Sequence, residues 1–142
     1  MWIGIHDGDD RARGLTKRHY SARHYRDSRK PRLFVGPGEK MVLLTPLCDA
    51  LFVWRKFKDD AVPAQTGVNC AVFRNEGTTL SSELIKEAVQ LARQRWPGER
   101  LYTYVDPKRI RKKRDPGRCF IKAGFTRCPY LTKTGKVVLE LL

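Results

Sequence analysis

The amino-acid sequence predicts an α/β (α+β) fold: a single domain with a mixed, mostly antiparallel central sheet and flanking helices. Three observations carry that expectation. The chain has 142 residues and 41% hydrophobic content, enough for one core, since a domain of this size buries roughly two thirds of the surface its unfolded chain exposes. Apolar residues recur with a helical period in one long stretch and at strand-like density in several short ones. The elements follow in the order helix, several strands, helix, strand, helix, strands, so a pair of β-α-β crossovers follows an antiparallel start.

Residues 1–14 are polar and aperiodic and are expected to form a flexible N-terminal segment, ordered only with substrate, ahead of a domain over 15–142. Leu15 to Arg26 suits a short, very basic helix that opens into the coil DSRKP. Leu33–Val35 and Lys40–Thr45 flank GPGE, whose Gly and Pro supply a turn, and read as a hairpin. Leu51–Phe57 carries the bulky residues that fit a pleated surface, KDDAVPAQT is a polar loop, and GVNCAVFRN is the next strand. Thr79–Arg95 is the clearest helix. Leu84, Ala88, Leu91 and Ala92 share one face, Thr78 or Thr79 caps the start, Glu83 suits the first turn, and Pro97-Gly98 stops it. Leu101–Val105 is a strand, Gly117–Ala123 a short helix, and Thr126–Tyr130 with Val137–Leu141 a strand pair around KTG.

Charge is the outlying property. Lys and Arg number 29 against 15 acids, a formal +14, well beyond what solubility requires. About half of these cations lie in two clusters. Arg11, Arg13, Lys17, Arg18, Arg23, Arg26, Arg29, Lys30 and Arg32 form the first; Lys108, Arg109, Arg111, Lys112, Lys113 and Arg114 form the second. Neither cluster rides on a long apolar stripe, which argues against a membrane surface and for nucleic acid, DNA first. Cys48, Cys70, Cys119 and Cys128 show no C-x-x-C and no short Cys/His spacing, so free thiols in a reducing compartment are expected. The start, MWIGIHDGDD, has acids where a secretory leader is basic, and no run approaches ~18 apolar residues. A soluble, cytoplasmic protein is expected.

The segment FRNEGTTLSSELIKEA joins a strand to a helix N-terminus through Arg74, Asn75, Gly77, Thr78 and Thr79. Free N–H groups and partial positive charge there suit a pyrophosphate, although R-x-x-G-x-T also fits an ordinary capped loop. Taken with YTYV after the helix and CFIKAGF beyond it, this order resembles the GNAT superfamily of acyl-CoA-dependent N-acyltransferases. The resemblance covers roughly Val68 to Leu142. It implies a GNAT-like sheet, acetyl-CoA as cofactor, its pyrophosphate on the backbone of Arg74–Thr79, and a cleft between splayed strands at about Val72–Asn75 and Tyr102–Asp106. Two positions depart from the superfamily's pattern. Thr79 stands where Gly or Ala is usual, and Phe120 stands where a tyrosine is the usual general acid; Cys119 beside it reads as a small buried thiol.

Within the superfamily, His19-Tyr20 and Asp106, before a proline, are similar to the bacteriophage Mom family, which modifies adenine in DNA and protects it from restriction. That resemblance implies His19, Tyr20 and Asp106 as catalytic residues, and also as ligands of a bound iron. Non-haem Fe(II) prefers two histidines and one carboxylate, and His24 would complete that set. Without metal, His19 and Asp106 would form a general-base pair. A surface histidine and an Asp-Pro turn starter remain the plain alternatives. Arg18, Arg23, Lys108, Arg109, Arg111, Lys112, Lys113 and Arg114 are the candidate nucleic-acid contacts, with Tyr20, Tyr25 or Tyr102 stacking on an extruded base. Two other functions stay open: a conventional N-acetyltransferase acting on a protein or small amine, and a non-catalytic, GNAT-shaped nucleic-acid-binding protein. A homodimer is compatible with either.

Overall fold

The computed structural model describes residues 1–18, 33–109 and 117–142. Among them lies one seven-stranded sheet of order β1-β2-β3-β4-β5-β7-β6, with three α-helices. The strands are β1 (Ile3–Ile5), β2 (Glu39–Leu44), β3 (Ala50–Lys56), β4 (Val68–Asn75), β5 (Leu101–Val105), β6 (Thr126–Leu131) and β7 (Val137–Leu141); the helices are α1 (Asp10–Arg18), α2 (Ser81–Arg95) and α3 (Arg118–Lys122). Every neighbouring pair is antiparallel except β4 and β5, which α2 joins in parallel.

β3 is the centre of the sheet, and its sequence shows why. Leu51, Phe52, Val53 and Trp54 form an unbroken apolar run, all fully buried, so alternate side chains enter two different cores. Phe52 and Trp54 join Leu84, Ile85, Ala88, Leu101, Phe120 and Leu139 under α2 and α3. Leu51 and Val53 join Val42, Leu44, Ala12 and Leu15 under α1. Two of the three indoles on the α2 side satisfy their N–H on that helix: Trp54 Nε1 donates to the Ala88 carbonyl at 2.9 Å and Trp2 Nε1 to the Leu84 carbonyl at 2.8 Å.

Three expectations need correction. The stretch 1–14 contains β1 and the start of α1. Asp9 is the missed start signal, because its carboxylate accepts the Arg11 amide at 2.9 Å as an N-cap does; the predicted continuation from His19 to Arg26 lies outside the described residues. Leu33–Val35 forms no strand. β2 pairs with β3 instead, around a turn in which Cys48 takes a positive φ of 57°, while the Phe34 and Val35 amides donate to the buried Asp7 carboxylate at 2.8 and 3.1 Å. Finally, neither Thr78 nor Thr79 caps α2. Its N-cap is Leu80, which offers no side-chain hydrogen bond. All four cysteines are free, and among the described residues no helix is long and apolar enough to cross a membrane.

Candidate active site

Parallel strands put their carboxyl ends at the same edge of a sheet, where ligands of open α/β sheets commonly bind. Here β4 and β5 stay in register for only three pairs, Val68 with Leu101, Asn69 with Tyr102 and Cys70 with Thr103. The cause lies on the other side of β4. Its register with β3 slips between Val53 and Trp54, so that Val72 and Cys70 pair and Ala71 bulges, and a bulge bends and twists its strand. Ala71–Asn75 and Tyr104–Val105 are consequently unpaired to one another, and the strands part.

Above that parting sits the Arg74–Thr79 loop. The Glu76 amide donates to the Asp49 carbonyl at 2.7 Å, the Gly77 amide to Asn75 Oδ1 at 3.0 Å, and Asn75 Nδ2 to the Thr79 carbonyl at 2.8 Å and Ser81 Oγ at 3.0 Å. Asn75 therefore braces the loop from within. Gly77 lies against a neighbour: a Cβ there would lie 2.3 Å from Asp49 Oδ2 and would push that carboxylate aside. The backbone amides from Thr78 to Ser82 have no acceptor among the described residues, which leaves the start of α2 open to an anion. Arg74 stands beside it. Its Nε donates to Glu76 Oε2 at 3.0 Å and its Nη1 to the Arg18 carbonyl at 3.1 Å.

Asp106 lies at the carboxyl end of β5. Its Oδ1 accepts the Lys108 amide at 3.0 Å at the head of the short 3-10 turn Pro107–Arg109, the geometry of an Asp-Pro turn starter. Lys108 is exposed, and Arg109 closes that turn. Arg18 ends α1 and is tied through Glu76 to the end of β4. Since β4 and β5 end at one edge, Arg18 of the first basic cluster and Lys108 of the second lie on either side of the same parting. His19, Tyr20, Arg23, His24, Tyr25, Arg111, Lys112, Lys113 and Arg114 lie outside the described residues. Among those described, no group of three His, Cys, Asp or Glu could hold a metal. Asp106 is the one described member of the expected iron set.

Tyr102 corrects the stacking expectation, whereas Phe120 is buried and Cys119 partly buried, the latter in line with its reading as a small buried thiol. Tyr102 is fully buried and its hydroxyl donates to Asp59 Oδ2 at 2.7 Å, so it cannot stack on a base. Phe120 packs among Phe73, Phe125 and Phe52, with ring centroids 5.9, 5.3 and 6.4 Å away. It is a core residue. Burial pushes the Cys119 thiol up, so that it stays protonated.

The sequence concealed one polar centre. Tyr104 also donates to Asp59 Oδ2 at 2.7 Å, and Asp59 is 8% exposed. Burial, then the hydrogen bond to Asp59, pushes both phenols far above their ordinary range. Arg100 extends the network, donating to Glu140 Oε1 at 2.7 Å and Gln65 Oε1 at 3.0 Å. The Tyr-x-Tyr spacing in LYTYV signals two phenols on one face, but their acceptor comes from a loop 43 residues earlier. Nearby in β4, the Asn69 Oδ1 is buried without a hydrogen-bond partner among the described residues. Compared with models of known protein families, with curated proteins and with solved structures, the chain finds no match in any of the three.

Proposed function

We propose that this is an acyl-CoA-dependent transferase of the GNAT kind, and within it a Mom-like enzyme that uses acetyl-CoA and modifies the exocyclic amine of adenine in DNA. The observation that carries the reading is the parting of β4 and β5 directly below an α2 start whose amides lack acceptors. In this reading the amides of Thr78 and Thr79 and the Arg74 guanidinium hold the pyrophosphate, and the facing edges of the two strands receive the pantetheine arm. Bound acetyl-CoA would supply an activated thioester carbonyl to the incoming amine. In this reading Asp106, at the end of β5, accepts a proton from that amine, with His19 and Tyr20 as its expected partners. Arg23 and Lys108, one from each basic cluster, would grip the strand beside an extruded base.

A second reading has its own support. Asn75 already occupies the Gly77 amide, Asp49 sets a carboxylate against Gly77, and Phe120 offers no proton, all of which favour a GNAT-shaped nucleic-acid-binding protein without catalysis. Thermal shift with acetyl-CoA separates the two: stabilisation is expected, and its absence overturns the transferase reading. Mass spectrometry of nucleosides from the DNA of an expressing host is expected to show a modified adenosine. Unmodified adenine alongside a folded, CoA-binding protein would overturn the Mom-like assignment and leave a conventional N-acetyltransferase.

A further inference from the structure

Two arginines from separate elements converge on one carboxylate at the rim of the parting. Arg18, the last residue of α1, meets Glu76 side-on, with Nε 2.6 Å from Oε2 and Nη2 2.8 Å from Oε1. Arg74, near the end of β4, brings its Nε to 3.0 Å from the same Oε2. Its Nη1 donates to the Arg18 carbonyl at 3.1 Å, which ties the two guanidinium-bearing residues together. Arg18 reaches this position by folding back along its helix over Gly14, where a Cβ would lie 3.1 Å from Nη1. Parallel N–H donors in a planar fork are the geometry with which arginine binds phosphate oxygens as readily as carboxylates.

Glu76 is thus seated where an oxyanion would sit, one residue before Gly77 and the open amides of Thr78–Ser82. We propose that Arg18 and Arg74 form a binding site for a phosphate or pyrophosphate group and that Glu76 is its internal competitor. The inference rests on the acyl-CoA reading only for the identity of the cofactor, and adds Arg18 and Glu76 to the cofactor's phosphate end.

The balance of forces allows the exchange. The three side chains are 53%, 39% and 28% exposed for Arg18, Arg74 and Glu76, and ion pairs open to water contribute little to folding. A single carboxylate leaves the triad with one net positive charge, whereas a pyrophosphate brings more charge and more acceptor oxygens to the same two forks. The Arg18 hydrogen bond holds the Glu76 carboxyl below its usual range, so the competitor remains charged at neutral pH.

The test is titration of inorganic pyrophosphate and, separately, acetyl-CoA into the wild type, Glu76→Gln, Arg18→Gln and the double variant, by calorimetry at fixed low salt. Glu76→Gln is expected to bind pyrophosphate at least ten-fold more tightly than the wild type, Arg18→Gln more weakly, and the double variant to lose the gain. Equal affinity in Glu76→Gln, a gain that survives loss of Arg18, or an Arg18→Gln variant that binds as the wild type does would each overturn the proposal. A pyrophosphate gain with no acetyl-CoA binding by any variant keeps the anion site and removes the acyl-CoA reading. Acetyl-CoA binding that is equal in the wild type and Glu76→Gln, without a pyrophosphate gain, does the reverse.

Discussion

At the scale of single residues, Asp59 carries more than its place in a polar loop suggests. One of its oxygens accepts two phenols at 2.7 Å each while Oδ1 accepts the Ala61 amide at 3.1 Å. Asp59→Ala strips the acceptor from a fully buried tyrosine, and buried donors left unsatisfied cost about 1–3 kcal/mol each. A loss of about 3 kcal/mol is expected in urea denaturation, with Asp59→Asn losing less because it keeps an acceptor oxygen; an unchanged midpoint in Asp59→Ala would remove the network from the fold's support. The same contacts fix the alkaline limit. Tyr102 and Tyr104 have folded-state values raised above the unfolded phenol value of about 10. Their contribution to stability is therefore complete below about pH 10 and is lost as pH rises from there through the folded values, because only the unfolded chain then sheds those protons. Ultraviolet difference titration should show these two phenols ionising only with unfolding, while Tyr104→Phe shifts that transition. Both phenols ionising near pH 10 in the native state would contradict the buried hydrogen bonds.

Among the elements, legibility followed the strength of the local signal. α2 and β3 to β7 were readable because apolar period, Pro97-Gly98 and the KTG turn agree with tertiary packing. α1 began early because Asp9 caps it, in a stretch whose polar, aperiodic sequence hid the helix, and Arg18 folds back over Gly14 within it. Leu33–Val35 has strand composition, yet the Asp7 carboxylate claims its amides, a contact no local pattern announces. The site was legible to the same degree. The strand-to-helix loop holding Arg74 and Gly77 was readable from order, and the parting of β4 and β5 was what the resemblance implied, but Asp49, Glu76 and Asp59 act through partners that only the folded sheet supplies. The start of α2 offers the sharpest test at this scale. Leu80 is 64% exposed and sits in extended backbone at the N-cap, where Asp would accept the Ser82 amide and complement the helix dipole. Leu80→Asp should stabilise the fold by about 1 kcal/mol. It should also lower acetyl-CoA affinity at least ten-fold, because a carboxylate then occupies the open amides. Gains in both stability and affinity would show that this helix start does not seat phosphate.

Taken as a whole, the molecule places an α1 face and an α2–α3 face on one sheet and brings Arg18 of one basic cluster and Lys108 of the other to a common edge. Arg18 leaves the end of α1 beside β4, and Lys108 follows the end of β5. A formal charge of +14 arranged in this way should make association with DNA dominated by the release of counterions from phosphate. If about six of these cations meet phosphates, the logarithm of the binding constant falls against the logarithm of salt with a slope near −5 on duplex DNA. A four-fold rise in salt, from about 50 to 200 mM, then weakens binding roughly 1,000-fold. Fluorescence anisotropy with a labelled duplex measures this directly. Lys108→Ala should reduce the slope by about 1 and lower affinity to all sequences alike, since a phosphate contact carries no base information. A slope near zero would mean that the cations face water and not a nucleic acid, whatever chemistry the cleft performs. A steep slope that Lys108→Ala leaves untouched would move the grip away from the end of β5.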